Sequence, residues 1–294
     1  MPATAALAAH TGKLALAIRH VLAGLGHGIH VGRERGAGVE FSEYRAYVPG
    51  DEWRRVDWKL MARADRYFVR EAERDSHVAV WLVLDASASM REPSRAVEGL
   101  SKLGYARLLL GCVAAIAQRQ GDAFGLVVCG GERAHLIPAL RGPRQLQRVL
   151  ARLEAADAGG GLPDGETLRA SLHFARAPAV VCAAGDFLDW PSPLSAALLR
   201  LRGMRHDVRV LCLHTQAEAD GGFDPQLAYR DPEGAEGTMR FGRDLRAGYL
   251  HHRAAHFDEV ARQCRRHDLP LVQACIEQAP AEVLRSLLRR GGGR

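Results

Sequence analysis

From residue 78 to residue 275 the chain repeats one alternation. A short unbroken apolar run is followed by a longer stretch with apolar positions three and four residues apart. The runs are VAVWLVLD (78–85), FGLVVC (124–129), PAVVCAAG (178–185), DVRVLCL (207–213) and LPLVQAC (269–275). Runs of this length with no polar alternation predict strands buried on both faces. The stretches near 97–119, 143–155, 165–175, 192–203, 244–267 and 280–290 predict helices. Strands alternating with helices define a doubly wound α/β domain with a mainly parallel, Rossmann-like sheet, spanning 77–290.

Residues 1–76 follow a different pattern. Leu14, Ile18, Leu22 and Leu25 fall at helical spacing and predict a small amphipathic helix that ends at the glycines of GLGHG. From 39 to 75, short Val- and aromatic-containing pieces broken by VPGD predict a β-rich appendage with a Pro-Gly turn. Within RRVDWKL, Val56, Trp58 and Leu60 alternate with Asp57 and Lys59, which reads as a strand with one buried face. Two hairpin-like pieces decorate the main domain: RAHLIPAL, and LAYRDPEGAEGTMRF with DPEG as its turn. RRGGGR closes the chain, and 291–294 reads as a flexible tail.

Composition narrows the possible functions. The 294 residues are 47% hydrophobic and 25% charged, ordinary values for a soluble globular protein. The net charge of +6 and the pI of about 9.2 invite a nucleic-acid reading. Of the 40 basic residues, however, only positions 13, 59 and 102 are lysine, and the arginines are spread among acidic residues. With no basic run interleaved with aromatics, nucleic acid is not an expected partner. The six cysteines lack CxxC spacing, and Cys129, Cys182 and Cys212 lie in strand-like runs, which fits free buried thiols and a cytoplasmic location. Lys13 and Arg19 interrupt the N-terminal apolar stretch, and Arg107 interrupts LGYARLLLGCVAAIA, so no signal peptide or membrane span is expected.

The chemistry centres on LVLDASASM. Asp85 ends the first core strand, and ligands of an open parallel sheet bind at the carboxyl ends of its strands. Asp85, Ser87 and Ser89 place a carboxylate and two hydroxyls on one tight turn. All are hard oxygen donors suited to Mg²⁺, which keeps several waters in its shell. Asp186, just after the strand 178–184, offers a second carboxylate at the same edge. Ser and Asp after a strand also cap helices, so the turn alone leaves both readings open.

In these residues the chain resembles von Willebrand factor A-like domains. Their metal-ion-dependent adhesion site combines an Asp-x-Ser-x-Ser turn, a Thr from a later loop and an Asp after the fourth strand. Asp85, Ser87, Ser89 and Asp186 match, while Leu162 stands in the Thr position of AGGGLPDGETLRASL, with Asp164 or Thr167 as substitutes only if the loop bends suitably. The segment EFSEYRAYVPGDEWRRVDWKLMAR is similar to the signature of the domain of unknown function 58 family. That family is von Willebrand factor A-like and is often encoded beside MoxR-type AAA+ ATPases. The matching positions are Phe41, Arg45, Tyr47, Pro49, Gly50, Asp51, Arg54, Asp57, Trp58, Ala62 and Arg63, and the similarity runs from about 38 to 275. Asp51 and Asp57 can pair with Arg45, Arg54 or Arg63 in a structural network. Trp53, Arg54, Asp57 and Trp58 also suit a partner-binding surface.

Other constellations are weaker. His252 and His256 stand at zinc-compatible spacing on a helix but lack an HExxH pattern and a third ligand. A dehalogenase-type phosphatase needs an acid two residues after its nucleophile, where this chain has Ser87. The G-x-S-x-G elbow, a Walker A loop and G-x-G-x-x-G between strand and helix are all missing. The expectation is therefore a non-enzymatic adaptor. The resemblance implies a Mg²⁺ site, partnership with a MoxR-type AAA+ ATPase or other von Willebrand factor A-like proteins, and a role in assembling a protein complex. The alternatives are a metal-dependent phosphoester hydrolase using Asp85 and a metal-free binding scaffold.

Overall fold

A computed structural model describes residues 14–25, 44–47, 56, 58–64, 66–70, 78–131, 133–173, 178–232, 234 and 237–289. These fall into two compact units, one drawn from 1–32 with 78–294 and the other from 33–77. The helix α1 (Leu14–Leu25), grouped with the appendage on sequence, instead belongs to the larger unit. Its stripe of Leu14, Ala17, Ile18, Val21 and Leu22 is buried in that unit's core. The expected tail at 291–294 lies outside the described residues.

In the smaller unit, β1 (Tyr44–Ala46) pairs antiparallel with β2 (Phe68–Arg70), and α2 (Trp58–Ala64) lies between them in sequence. The segment expected to be a strand around Trp58 and Leu60 is thus a helix. Three alternating positions fit either period, and the helix formers Leu60, Met61 and Ala62 decide in favour of the helix.

The larger unit carries a six-stranded sheet of β3 (Ala79–Asp85), β4 (Phe124–Gly130), β5 (Arg133–Leu140), β6 (Ala179–Gly185), β7 (Asp207–His214) and β10 (Leu271–Cys275). Its order is β10-β7-β6-β3-β4-β5, all parallel except β5, which runs antiparallel to β4. The doubly wound expectation therefore holds. RAHLIPAL is the edge strand β5 rather than a separate hairpin, and Pro138 is tolerated there because an edge strand can spare a ladder donor. The second expected hairpin has its two strands, β8 (Ala228–Arg230) and β9 (Thr238–Arg240), paired antiparallel.

Helices cover both faces. Leu82 and Leu84 of β3 point into one apolar layer, where they meet α1, α3 (Lys102–Arg119), α4 (Pro143–Glu154) and α9 (Pro280–Leu288). Trp81 and Val83 point into the other, with α5 (Gly165–Ser171), α6 (Pro193–Gly203) and α8 (Arg243–Arg266). The helix α3 is buried on nearly every side, as expected of a helix apolar all round. A Cβ at its Gly111 would stand 2.5 Å from Ile18 Cδ1, so this glycine permits the close approach of α1.

The central neighbours β3 and β6 mark where the strand order reverses. The chain leaves β3 toward β4 on one side and leaves β6 toward β7 on the other. In open α/β sheets the crevice beyond the strand ends at this reversal is where ligands bind. Asp85 ends β3 and Asp186 follows β6, so both carboxylates sit at the reversal.

Candidate functional site at the carboxyl edge of the sheet

The Asp85 turn is held by its own side chains. Asp85 is 2% exposed, and its Oδ1 accepts hydrogen bonds from Ser87 N at 2.8 Å and Ser87 Oγ at 2.7 Å. The Ser87 hydroxyl lies 3.1 Å from Ser89 Oγ. Ser87 precedes the 3₁₀ turn Ala88–Arg91 but makes no side-chain cap to it, so the hydroxyl serves the carboxylate rather than the helix end. The loop before α5 clamps the turn from the side: Ala88 N donates to Gly160 O at 2.8 Å, and Gly159 N to Ala86 O at 3.1 Å.

Gly185, the last residue of β6, lets this turn approach Asp186. A Cβ there would stand 2.8 Å from Asp85 Oδ2 and 2.9 Å from its Cβ. Gly185→Ala is expected to cost about 1–3 kcal/mol, the usual penalty for overpacking a tight site. Urea denaturation checks this, and an unchanged midpoint would show that the turn has room to move. Beyond it, Phe187 holds a positive φ of 51° while buried, a conformation unusual for a bulky residue, and His256 Nε2 reaches its carbonyl at 3.0 Å. His256 is thus engaged at the Asp186 loop, whereas His252 bonds Gly248 O within its own helix.

The second half of the site was not anticipated. Lys102, the first residue of α3, is 1% exposed, and its ammonium donates to Asp186 Oδ2 at 2.7 Å and to Glu218 Oε1 at 2.9 Å. Glu218, in the short helix α7 (Gln216–Asp220), is itself pinned in a capping box, its Oε2 accepting from Thr215 N at 2.7 Å and from Thr215 Oγ1 at 3.1 Å. Burial alone would lower the Lys102 pKa, but the charges of Asp186 and Glu218 outweigh it and raise it. Among the described residues no cation is paired with Asp85. Burial, then the nearby Asp186 charge, push its carboxyl up from 3.8 to about 8 against the lowering bonds from Ser87. Two signals for the Lys102 triad were present in the sequence: one of only three lysines in an arginine-rich chain, and Thr-x-x-Glu at 215–218.

A Mg²⁺ site fits one half of this arrangement. An octahedral ion with ligands at 2.0–2.1 Å places neighbouring oxygens about 3 Å apart. Asp85, Ser87 and Ser89 present oxygens separated by 2.7 and 3.1 Å. Asp186, by contrast, has Oδ2 committed to Lys102. Leu162 offers no donor and packs against the second apolar layer. Asp164 caps α5 through Glu166 N and Thr167 N, and the Thr167 hydroxyl donates to Asp164 Oδ2 at 3.0 Å, so both candidate substitutes are engaged at that helix end. Among the described residues no cluster of three His, Cys, Asp or Glu has metal-binding geometry. An ion here would rest on Asp85, the two hydroxyls and water, and would supply a polarised open position for an anionic ligand.

A cleft of about 490 Å³ opens above the site, with Ser89, Lys102, Asp186 and Glu218 in its lining. Phe223, Tyr229, Phe241 and Tyr249 form an aromatic wall with centroid separations of 4.7–5.4 Å. Arg95 stacks over Phe223 and Tyr229. Of the expected partner-binding residues, Trp58 is 54% exposed and meets Tyr67 edge-on at 6.4 Å. Trp53, Arg54 and Asp57 lie outside the described residues. All six cysteines are unpaired and buried. Among the described residues no helix is long and apolar enough to cross a membrane.

These features define a doubly wound α/β protein with an acidic, cleft-bearing carboxyl edge. Residues 43–259 match the family described as "Protein of unknown function DUF58", and the chain belongs to that family. The uncharacterized protein Rv1480 of Mycobacterium tuberculosis is 30% identical over 276 residues, covering 90% of this chain and 84% of its own. Among solved structures, an aerotolerance-related membrane protein from Bacteroides fragilis is similar at 15% identity and a TM-score of 0.45, over 72% of this chain and 98% of that one. The SpRpn10 VWA domain is similar at 12% identity and a TM-score of 0.39, over 74% and 99%.

Proposed function

We propose that this chain is a non-enzymatic protein-interaction protein of the cytoplasm that binds through the carboxyl edge of its sheet. Mg²⁺ on Asp85, Ser87 and Ser89 is completed there by an acidic side chain of the partner. The observation that carries this reading is the oxygen-lined turn at the strand-order reversal, beside an open cleft. A MoxR-type AAA+ ATPase, or another von Willebrand factor A-like protein, is the proposed partner, in assembly or maturation of a protein complex. Support for that choice is the family resemblance.

Hydrolysis with Asp85 as nucleophile is disfavoured by the same turn. Its Oδ1 already accepts two bonds from Ser87, and the residue two positions on is that serine rather than a second acid. The metal-free scaffold has one observation in its favour, the Lys102 ammonium already seated on Asp186.

Mg²⁺ titration by calorimetry, followed by capture of a purified MoxR-type ATPase with and without chelator, tests the proposal. The wild type should bind Mg²⁺ and hold the ATPase only in its presence, and Asp85→Ala should lose both. ATPase capture that survives both chelator and Asp85→Ala would establish the scaffold instead. Turnover of a phosphate ester abolished by Asp85→Asn would establish the hydrolase.

A further inference from the structure

The position of Lys102 calls for a cause. An ammonium taken fully out of water carries a large desolvation penalty before pairing. At the first position of α3 it also opposes the helix dipole, which favours negative charge there. It does not cap α3, whose N-terminus Ser101 caps by accepting from Gly104 N. In a chain with only three lysines among 40 basic residues, arginine is the default cation, yet this buried seat holds the compact point charge. What the ammonium touches is Asp186 on one side and Glu218 on the other, two of the carboxylates that line the cleft beyond the Asp85 turn.

We propose that Lys102 is a resident cation that holds the Asp186 half of the site and keeps Asp186 from serving a metal ion, leaving an exchangeable divalent cation only the Asp85, Ser87 and Ser89 half. The inference rests on reading that turn as a cation seat. It makes the site a split one, with one positive charge built into the fold and the other supplied from solution. A divalent ion on the turn then has fewer protein carboxylates and a neighbouring positive charge, both of which weaken it. Loading becomes sensitive to the ion's concentration instead of being permanent.

The test is calorimetric titration of Mg²⁺ and Mn²⁺ into the full chain as wild type, Lys102→Met, Lys102→Arg, and Lys102→Met with Asp186→Asn. Lys102→Met should bind about tenfold or more tightly, because carboxylate count sets the affinity of an oxygen site. Lys102→Arg should stay near wild type, and adding Asp186→Asn should cancel the gain. If Lys102→Met does not fold alone, millimolar Mg²⁺ should restore its near-ultraviolet circular dichroism, since the ion replaces the lost charge. Failure of that rescue overturns the proposal. Wild-type binding unchanged in Lys102→Met also overturns it while leaving the Asp85 site standing. Binding by Lys102→Met but not by wild type supports the resident cation and removes the Mg²⁺ reading of the native protein. No binding by any folded variant removes both.

Discussion

Asp85→Asn should make the protein more stable at pH 8, by a few kcal/mol, and should change it little at pH 4. The asparagine oxygen can keep both bonds from Ser87 without carrying a buried charge beside Asp186. The sign follows from linkage. Burial first, and then Asp186, raise the Asp85 carboxyl from 3.8 to about 8 in the fold, so between those values the folded chain holds a proton that the unfolded chain has lost. The contribution is fully present below about pH 4 and is lost as pH rises through about 8, with a ceiling on the order of 6 kcal/mol at about 1.4 kcal/mol per pKa unit. Urea denaturation of wild type and Asp85→Asn at several pH values isolates this group, because other titrations cancel in the difference. Parallel profiles would show that Asp85 ionises freely in the fold. A corollary concerns the ion: seating Mg²⁺ on Asp85 must expel that proton, so wild-type affinity should climb across the same pH range. A site kept acidic at a cost to stability is what a binding role requires and a purely structural turn does not.

The sheet was legible because strands buried on both faces leave unbroken apolar runs, and each of the five runs is a strand of the observed sheet. Asp85 and Asp186 were legible for a related reason: each closes or follows such a run, which fixes the edge where its carboxylate emerges. Other features left no such mark. The stripe on α1 shows that one face is buried but not what buries it, and only the fold sets Ile18 against Gly111. Around Trp58 three alternating residues were too few to separate a period of two from one of 3.6. For Lys102 the sequence marks a rare lysine and a Thr-x-x-Glu cap separately, but not that they meet. Its partners lie 84 and 116 residues away in sequence, and an isolated lysine at a helix start reads as solvated until the fold buries it. Asp186, expected as a metal ligand, is found with one carboxylate oxygen seated on that lysine.

Removing Lys102 should therefore have the largest cost of any single change at the edge. Lys102→Met leaves Asp186 and Glu218 buried or half-buried without their cation, beside Asp85 and beside Glu92, whose own carboxyl is raised by burial and then by Glu218. Breaking a buried ion pair from one side costs about 3–5 kcal/mol, since the stranded charge keeps its desolvation penalty and loses its compensation. The loss should be largest at pH 8, where the neighbouring Asp85 begins to ionise as well, and should shrink toward pH 5, where Asp85 holds its proton. Combining Lys102→Met with Asp186→Asn and Glu218→Gln should recover most of it, because replacing every member of a buried charged group with neutral side chains is often tolerated. Urea midpoints for the single and triple variants at both pH values decide the matter. A single-variant loss below about 1 kcal/mol, the worth of an exposed pair, would mean that water reaches the ammonium and that the carboxyl edge is wetter than its geometry implies. A triple variant as unstable as the single one would place the cost in lost packing around the lysine's methylene chain instead of in charge.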